Sequence, residues 1–184
     1  MADTLMLRTL RLDQSDTLVF PAAAEPGEWA VPGGFVFWDD APGSLAGKRQ
    51  QAFRGGFLGL DSFGWSTLVE VAAITAEQHG AALETLAAHI HTTYGAPDLD
   101  AARAAAAEEI GFAKSLCDQP PGTVFALHRS HDDAGAVHEA FRTLHRRETP
   151  HADFGALPVF AIAEVAEDTP LDTPDLAALI KARR

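Results

Sequence analysis

The chain has 184 residues, 47% of them hydrophobic, and a formal net charge of −12. That is enough for one domain burying roughly 70% of its unfolded surface, while a single Cys excludes a disulfide framework and any Cys-rich metal site. No apolar run nears the ~18 residues of a membrane span, Met1-Ala2-Asp3-Thr4 does not begin a secretion signal, and the acidic balance disfavours nucleic acid and anionic membranes, so the expectation is a cytoplasmic single domain over 1–184 with no cofactor, no nucleic-acid partner and no membrane partner.

Residues 5–12 read as a strand, with 17–20 as its hairpin partner across the polar stretch 13–16. Residues 29–31 and 35–38 read as short strands around the turn Pro32-Gly33-Gly34. Ser44 is the expected cap of a short helix running toward Phe53. Residues 55–60, rich in glycine, read as a loop, and 66–74, β-branched and apolar, as the central strand.

Thr75-Ala76-Glu77-Gln78 fits a capping box. The helix it opens carries Leu83, Leu86, Ala87, Ile90 and Tyr94 on one face and ends at Gly95-Ala96-Pro97. Asp98 caps a second helix reaching about Cys117, which 118–122 stops. Residues 123–129 read as a strand. Asp132 or Asp133 starts a predicted helix through about His145, with Val137, Ala140, Phe141 and Leu144 inward. A strand over 159–165, an acidic loop over 168–175 and a short terminal helix complete the chain. Strands first, then strand–helix–helix–strand–helix–strand, predict an α+β domain: a mixed, mainly antiparallel sheet with helices packed on one face.

Gly27-Glu28-Trp29-Ala30-Val31-Pro32-Gly33-Gly34 resembles the segment leading into the Nudix box of nucleoside-diphosphate hydrolases. That box presents several glutamates to magnesium, which needs hard oxygen ligands. Counted from Gly34, its glutamate positions fall on Asp40, Arg49, Ala52 and Phe53, its arginine on Lys48 and its glycine on Gly55. The resemblance therefore implies no magnesium site, and Trp29, Phe35, Phe37 and Trp38 read as core or interface aromatics. Glu25 through Gly34, Gly56-Phe57-Leu58-Gly59 and Ser62-Phe63-Gly64-Trp65-Ser66 also resemble a group of small proteobacterial proteins sharing a domain of unknown function. No activity follows from that resemblance.

Glu109 is the first candidate for chemistry. It falls inside the apolar arc of its helix, formed by Leu99, Ala102, Ala106, Ile110, Phe112, Ala113, Leu116 and Cys117. A carboxylate facing a core is paired or takes up a proton. Paired, it is a structural group whose expected partner is Arg129 or His128, on the strand that follows. Protonated, it is a general acid–base with a raised pKa.

Eight His residues raise the thought of a metal, but their spacing opposes it. His89 and His91 would point about 160° apart on a helix at ~100° per residue. His138 and His145 would stand ~10.5 Å apart along an axis rising ~1.5 Å per residue. His128 and His131 converge only if the chain turns there. No metal site is expected, and the catalytic candidates are Glu109, His128 and His131. Cys117, in the same apolar arc, reads as a small hydrophobe.

Segment 128–151 balances its acids with four Arg in a chain that is otherwise strongly acidic. His138, Arg142 and His145 share a flank of the predicted helix, so they form the expected anion-binding group. The sound core, the missing catalytic constellation and the Phe/Trp cluster together suggest a non-enzymatic binding or accessory protein that self-associates through its aromatic amino-terminal region. The alternative is an enzyme acting on a small anionic or phosphorylated substrate with a Glu/His acid–base pair.

Overall fold

β1 (Thr4–Leu10) is the spine of a seven-stranded sheet with the strand order β4-β3-β2-β1-β5-β6-β7. Its companions are β2 (Trp29–Val31), β3 (Phe57–Gly59), β4 (Trp65–Ser66), β5 (Leu68–Ile74), β6 (Val124–His131) and β7 (Val137–Leu144). The helices are α1 (Ser15–Val19), α2 (Gly47–Gly55), α3 (Ala76–Thr93) and α4 (Leu99–Ser115), with a 3-10 turn over Gly34–Phe37. This is a computed structural model, and it describes residues 4–144. His145, the expected strand over 159–165, the acidic loop and the terminal helix lie outside the described residues.

The α+β class with a mainly antiparallel sheet holds. Every neighbouring pair of strands is antiparallel, and Ala23 makes an isolated parallel bridge to Trp65. β1 pairs with β5 along its whole length, from Thr4 opposite Ile74 to Leu10 opposite Leu68. Met6 and Leu7 are neighbours in β1, so their side chains leave opposite faces. Both are fully buried, so the sheet is covered on both sides at its centre.

The helix signals around α3 and α4 act as expected. Thr75 accepts from the Gln78 backbone N–H while Gln78 reaches back to the Thr75 N–H, closing the capping box. Gly95, with φ of 71°, carries the chain out of α3. Asp98 caps α4 by accepting from Ala101 N–H. α3 and α4 pack together, and α4 lies against β1 and β2.

Five local expectations need correction. Residues 15–19 are helical, not a hairpin strand, because the polar residues before them bond locally. Asp13 accepts from Ser15 N–H, and Thr17 donates to the Gln14 carbonyl. Residues 34–37 coil into a 3-10 turn, since Gly33 takes a left-handed φ of 76° and a Cβ there would meet the Leu58 Cβ at 2.7 Å. Ser44 caps nothing. It donates to the Ala41 carbonyl, and α2 starts from Ala46.

The fourth correction is the largest. Val137–Leu144 is a strand, not a helix. Asp132 Oδ1 accepts from the backbone N–H groups of Ala134 and Ala136, and Gly135 turns at φ 83°. The result is a hairpin whose Glu139, Phe141 and Thr143 face inward by simple alternation.

Residues 57–59, read from the sequence as part of a glycine-rich loop, form the buried strand β3. Its flanking glycines make room for large neighbours. A Cβ on Gly56 would meet the Trp65 ring at 2.8 Å, and one on Gly59 would meet Glu28 Oε2 at 2.5 Å. Glu28 itself is buried with its carboxylate filled by backbone donors. Oε1 accepts from Glu25 N–H at 2.6 Å, and Oε2 accepts from Asp61 and Ser62 at 2.9 and 2.8 Å.

Candidate functional site: two clefts on either side of a buried arginine

Arg129 is the largest fully buried side chain among the described residues, 1% exposed. β6 runs on past Ala126, its last residue paired with β5 (opposite Leu68), so its far end meets other elements. There Arg129 Nη1 donates to the carbonyls of Phe53 at 3.1 Å and Gly56 at 2.9 Å, and Nη2 donates to that of Pro32. Nε donates to Glu139 Oε1 at 2.5 Å. Glu139 is the direct cross-strand partner of Arg129 in the β6–β7 register, so this pairing follows from the hairpin. The planar guanidinium is used on all sides, which a point-charge ammonium would not manage.

The first cleft opens beside this pair and has a volume of ≈ 190 Å³. Glu139 and Glu109 line it, with Phe35, Trp38, Phe112 and Val137 around them. Trp38 is 78% exposed at its rim. Glu109 is half-buried, and its Oε2 has no hydrogen-bond partner among the described residues. Its carboxyl is pushed up to about 7, first by burial and then by the charge of Glu139, with Arg129 pulling the other way.

The expected pairing of Glu109 with Arg129 or His128 is therefore corrected. Arg129 is taken by Glu139, which lies directly across the hairpin, and His128 lines the other cleft. Glu109 is left facing a second carboxylate.

The second cleft, ≈ 310 Å³, lies between α2 and the far end of β6. Gln50, Arg54, His128, Ser130 and His131 line it. Four consecutive residues of β6, His128 to His131, line it, so residues from both faces of the strand take part. His131 stacks on Phe53 with ring centroids 4.6 Å apart at 11°. The structure thus separates the three catalytic candidates: Glu109 stands on one side of Arg129, and His128 and His131 stand on the other.

His138 and Arg142 belong to β7, where residues four apart on a strand stand ~13 Å from each other at ~3.3 Å per residue. The compact flank expected of them depended on a helix. His138 instead bonds Asp132 at 2.9 Å, within its own hairpin turn, and His145 lies outside the described residues. Among the described residues no group of three His, Cys, Asp or Glu is placed to hold a metal ion.

The family model of DUF6505, a family of unknown function, matches residues 4–163. The chain belongs to that family. No curated protein and no solved structure matches this DUF6505 chain. The stretches that carried the resemblance to a domain of unknown function serve the packing of the DUF6505 fold: Glu28 ties Asp61 and Ser62, and Trp65 lies over Gly33 and Gly56. At the positions a Nudix box would give to glutamates, this DUF6505 chain has Ala52 and Phe53 buried in the core, and Arg49 bound to Asp40 at 2.5 Å.

Other expectations resolve in the same way. Cys117 is buried, and burial followed by the Asp118 charge pushes its thiol up to about 11, far from a reactive thiolate. Phe35 and Phe37 are core residues, so Trp38 is what the aromatic amino-terminal cluster leaves exposed. No helix of the described residues is long and apolar enough to cross a membrane. Sequence reasoning missed Glu139, which it had placed on a helix. The signal that would have found it is the Asp132-to-Gly135 turn, which sets Glu139 opposite Arg129.

Proposed function

We propose that this DUF6505 member is a non-enzymatic, cytoplasmic binding protein whose first cleft takes a small organic cation, an alkylammonium in chemical class. The observation that carries this reading is the make-up of that cleft: two carboxylates, Glu109 and Glu139, among the aromatic rings of Phe35, Trp38 and Phe112. The nearby cation, Arg129, is buried, with four hydrogen bonds to Glu139 and to the carbonyls of Phe53, Gly56 and Pro32. Aromatic faces and carboxylates are the two surfaces that attract ammonium groups. Trp38 is assigned here to the ligand cleft rather than to a dimer contact. An enzyme reading that joins Glu109 to His128 or His131 gains no support from a geometry that puts them in different clefts.

The test is a fluorescence titration of Trp38 with butylammonium and tetramethylammonium at constant ionic strength. A cation needs Glu109 ionised. With a carboxyl titrating at about 7, the ionised fraction falls about tenfold from pH 8 to pH 6, so the apparent Kd rises by about tenfold over that range. Glu109→Gln flattens this dependence and weakens binding at pH 8. No response to either cation at pH 8, or equal affinity in the variant, overturns the proposal.

A further inference from the structure

The second cleft has the opposite chemistry. α2, the sequence GKRQQAFRG, carries Lys48, Arg49 and Arg54 and no carboxylate, in a protein of net charge −12. Arg49 is held by Asp40. Arg54 lines the cleft and has no hydrogen bond or ion pair among the described residues. The lining adds the imidazoles of His128 and His131, the Ser130 hydroxyl and the Gln50 amide, and contains no carboxylate. Of the acidic groups on neighbouring elements, Glu139 is bound by Arg129 on the far side of the wall. Asp132, next to His131, is occupied by two backbone N–H groups and His138. His131 is held against Phe53, so its ring is positioned before any ligand arrives.

We infer that this α2–β6 cleft binds a phosphoryl group, with Arg54 supplying the charge and His128, Ser130 and Gln50 the hydrogen bonds. Guanidinium geometry matches two phosphate oxygens at once. The anion site thus lies on β6 and α2, and not on the 138–145 flank. The inference is independent of the cation proposed for the first cleft.

The experiment is a backbone-amide NMR titration of the full chain with orthophosphate and with glycerol 3-phosphate, ionic strength held constant with sodium chloride. Shifts are expected at Arg54, His128, Ser130 and His131. Arg54→Gln weakens binding by about tenfold or more, the loss of one charge-assisted hydrogen bond. His128→Gln gives a smaller loss. Arg103→Gln removes an equal charge from a remote surface pair with Glu84 and leaves the affinity unchanged. Tighter binding of glycerol 3-phosphate assigns the site to a phosphate monoester, and equal binding assigns it to free phosphate. The inference is overturned if neither anion shifts these residues, or if Arg54→Gln and Arg103→Gln behave alike.

Discussion

Glu109 is a carboxyl whose charge the fold opposes. Its folded pKa of about 7 stands above its ordinary value of 4.5, so the folded state holds the proton more tightly than the unfolded one. The contribution of Glu109 to stability is therefore fully present below pH ~4.5 and is lost as pH rises through ~7. Glu109→Gln keeps the shape and removes the titration. The variant should gain on the order of 1–3 kcal/mol relative to wild type between pH 5 and pH 8, after allowance for partial exposure. Urea unfolding at both pH values reads that difference, and a constant offset would show that Glu109 does not titrate in this window. The apolar arc of α4 made the placement of Glu109 legible from sequence. Its electrostatic partner was not legible, because Glu139 reaches it through a hairpin that the 3.6-residue pattern of 132–145 concealed.

Elements with chemical end signals were legible, while elements shaped by tertiary contact were not. Thr75, Gln78, Asp98 and Gly95 bracket α3 and α4 by bonds made within a few residues, so local sequence suffices. Thr75→Ala should cost about 1 kcal/mol, measurable as a shift in the urea midpoint. A shift of zero would mean that packing of α3 on α4, not its cap, holds that end. β3 and the 3-10 turn depend instead on partners far along the chain. Gly56 and Gly59 look like loop residues until Trp65 and Glu28 are seen filling the space a side chain would need. β7 carries apolar residues that suit both a helix face and a strand face, and the choice is made by the Asp132 turn and by the edge that β6 offers.

On the scale of the whole molecule, Arg129 joins parts that the sheet keeps apart. β6 stands three places from β2 in the strand order, yet its guanidinium reaches the carbonyl after β2 and both carbonyls around the end of α2. Arg129→Lys keeps the charge but loses the fork. It should cost about 3–5 kcal/mol, since carbonyls and Glu139 lose their donors in a buried place. Equilibrium urea unfolding followed by circular dichroism measures this, and wild-type stability in the variant would show that the closure rests on apolar packing instead. Arg129 lines the second cleft and holds Glu139, which lines the first, so its loss should disturb both surfaces together.

The long pairing of β1 with β5 has a consequence during synthesis. Leu10 meets Leu68 and Thr4 meets Ile74, while β2, β3 and β4 attach on the other edge of β1 from within the enclosed loop. The spine of the sheet is thus translated before every strand that pairs with it. At roughly 5–20 residues per second, its fully buried Met6 and Leu7 wait several seconds for β5 to leave the ribosome. An apolar strand exposed for that long is a target for holding chaperones. Co-translational capture of this protein should accordingly fall off once the nascent chain has grown past β5.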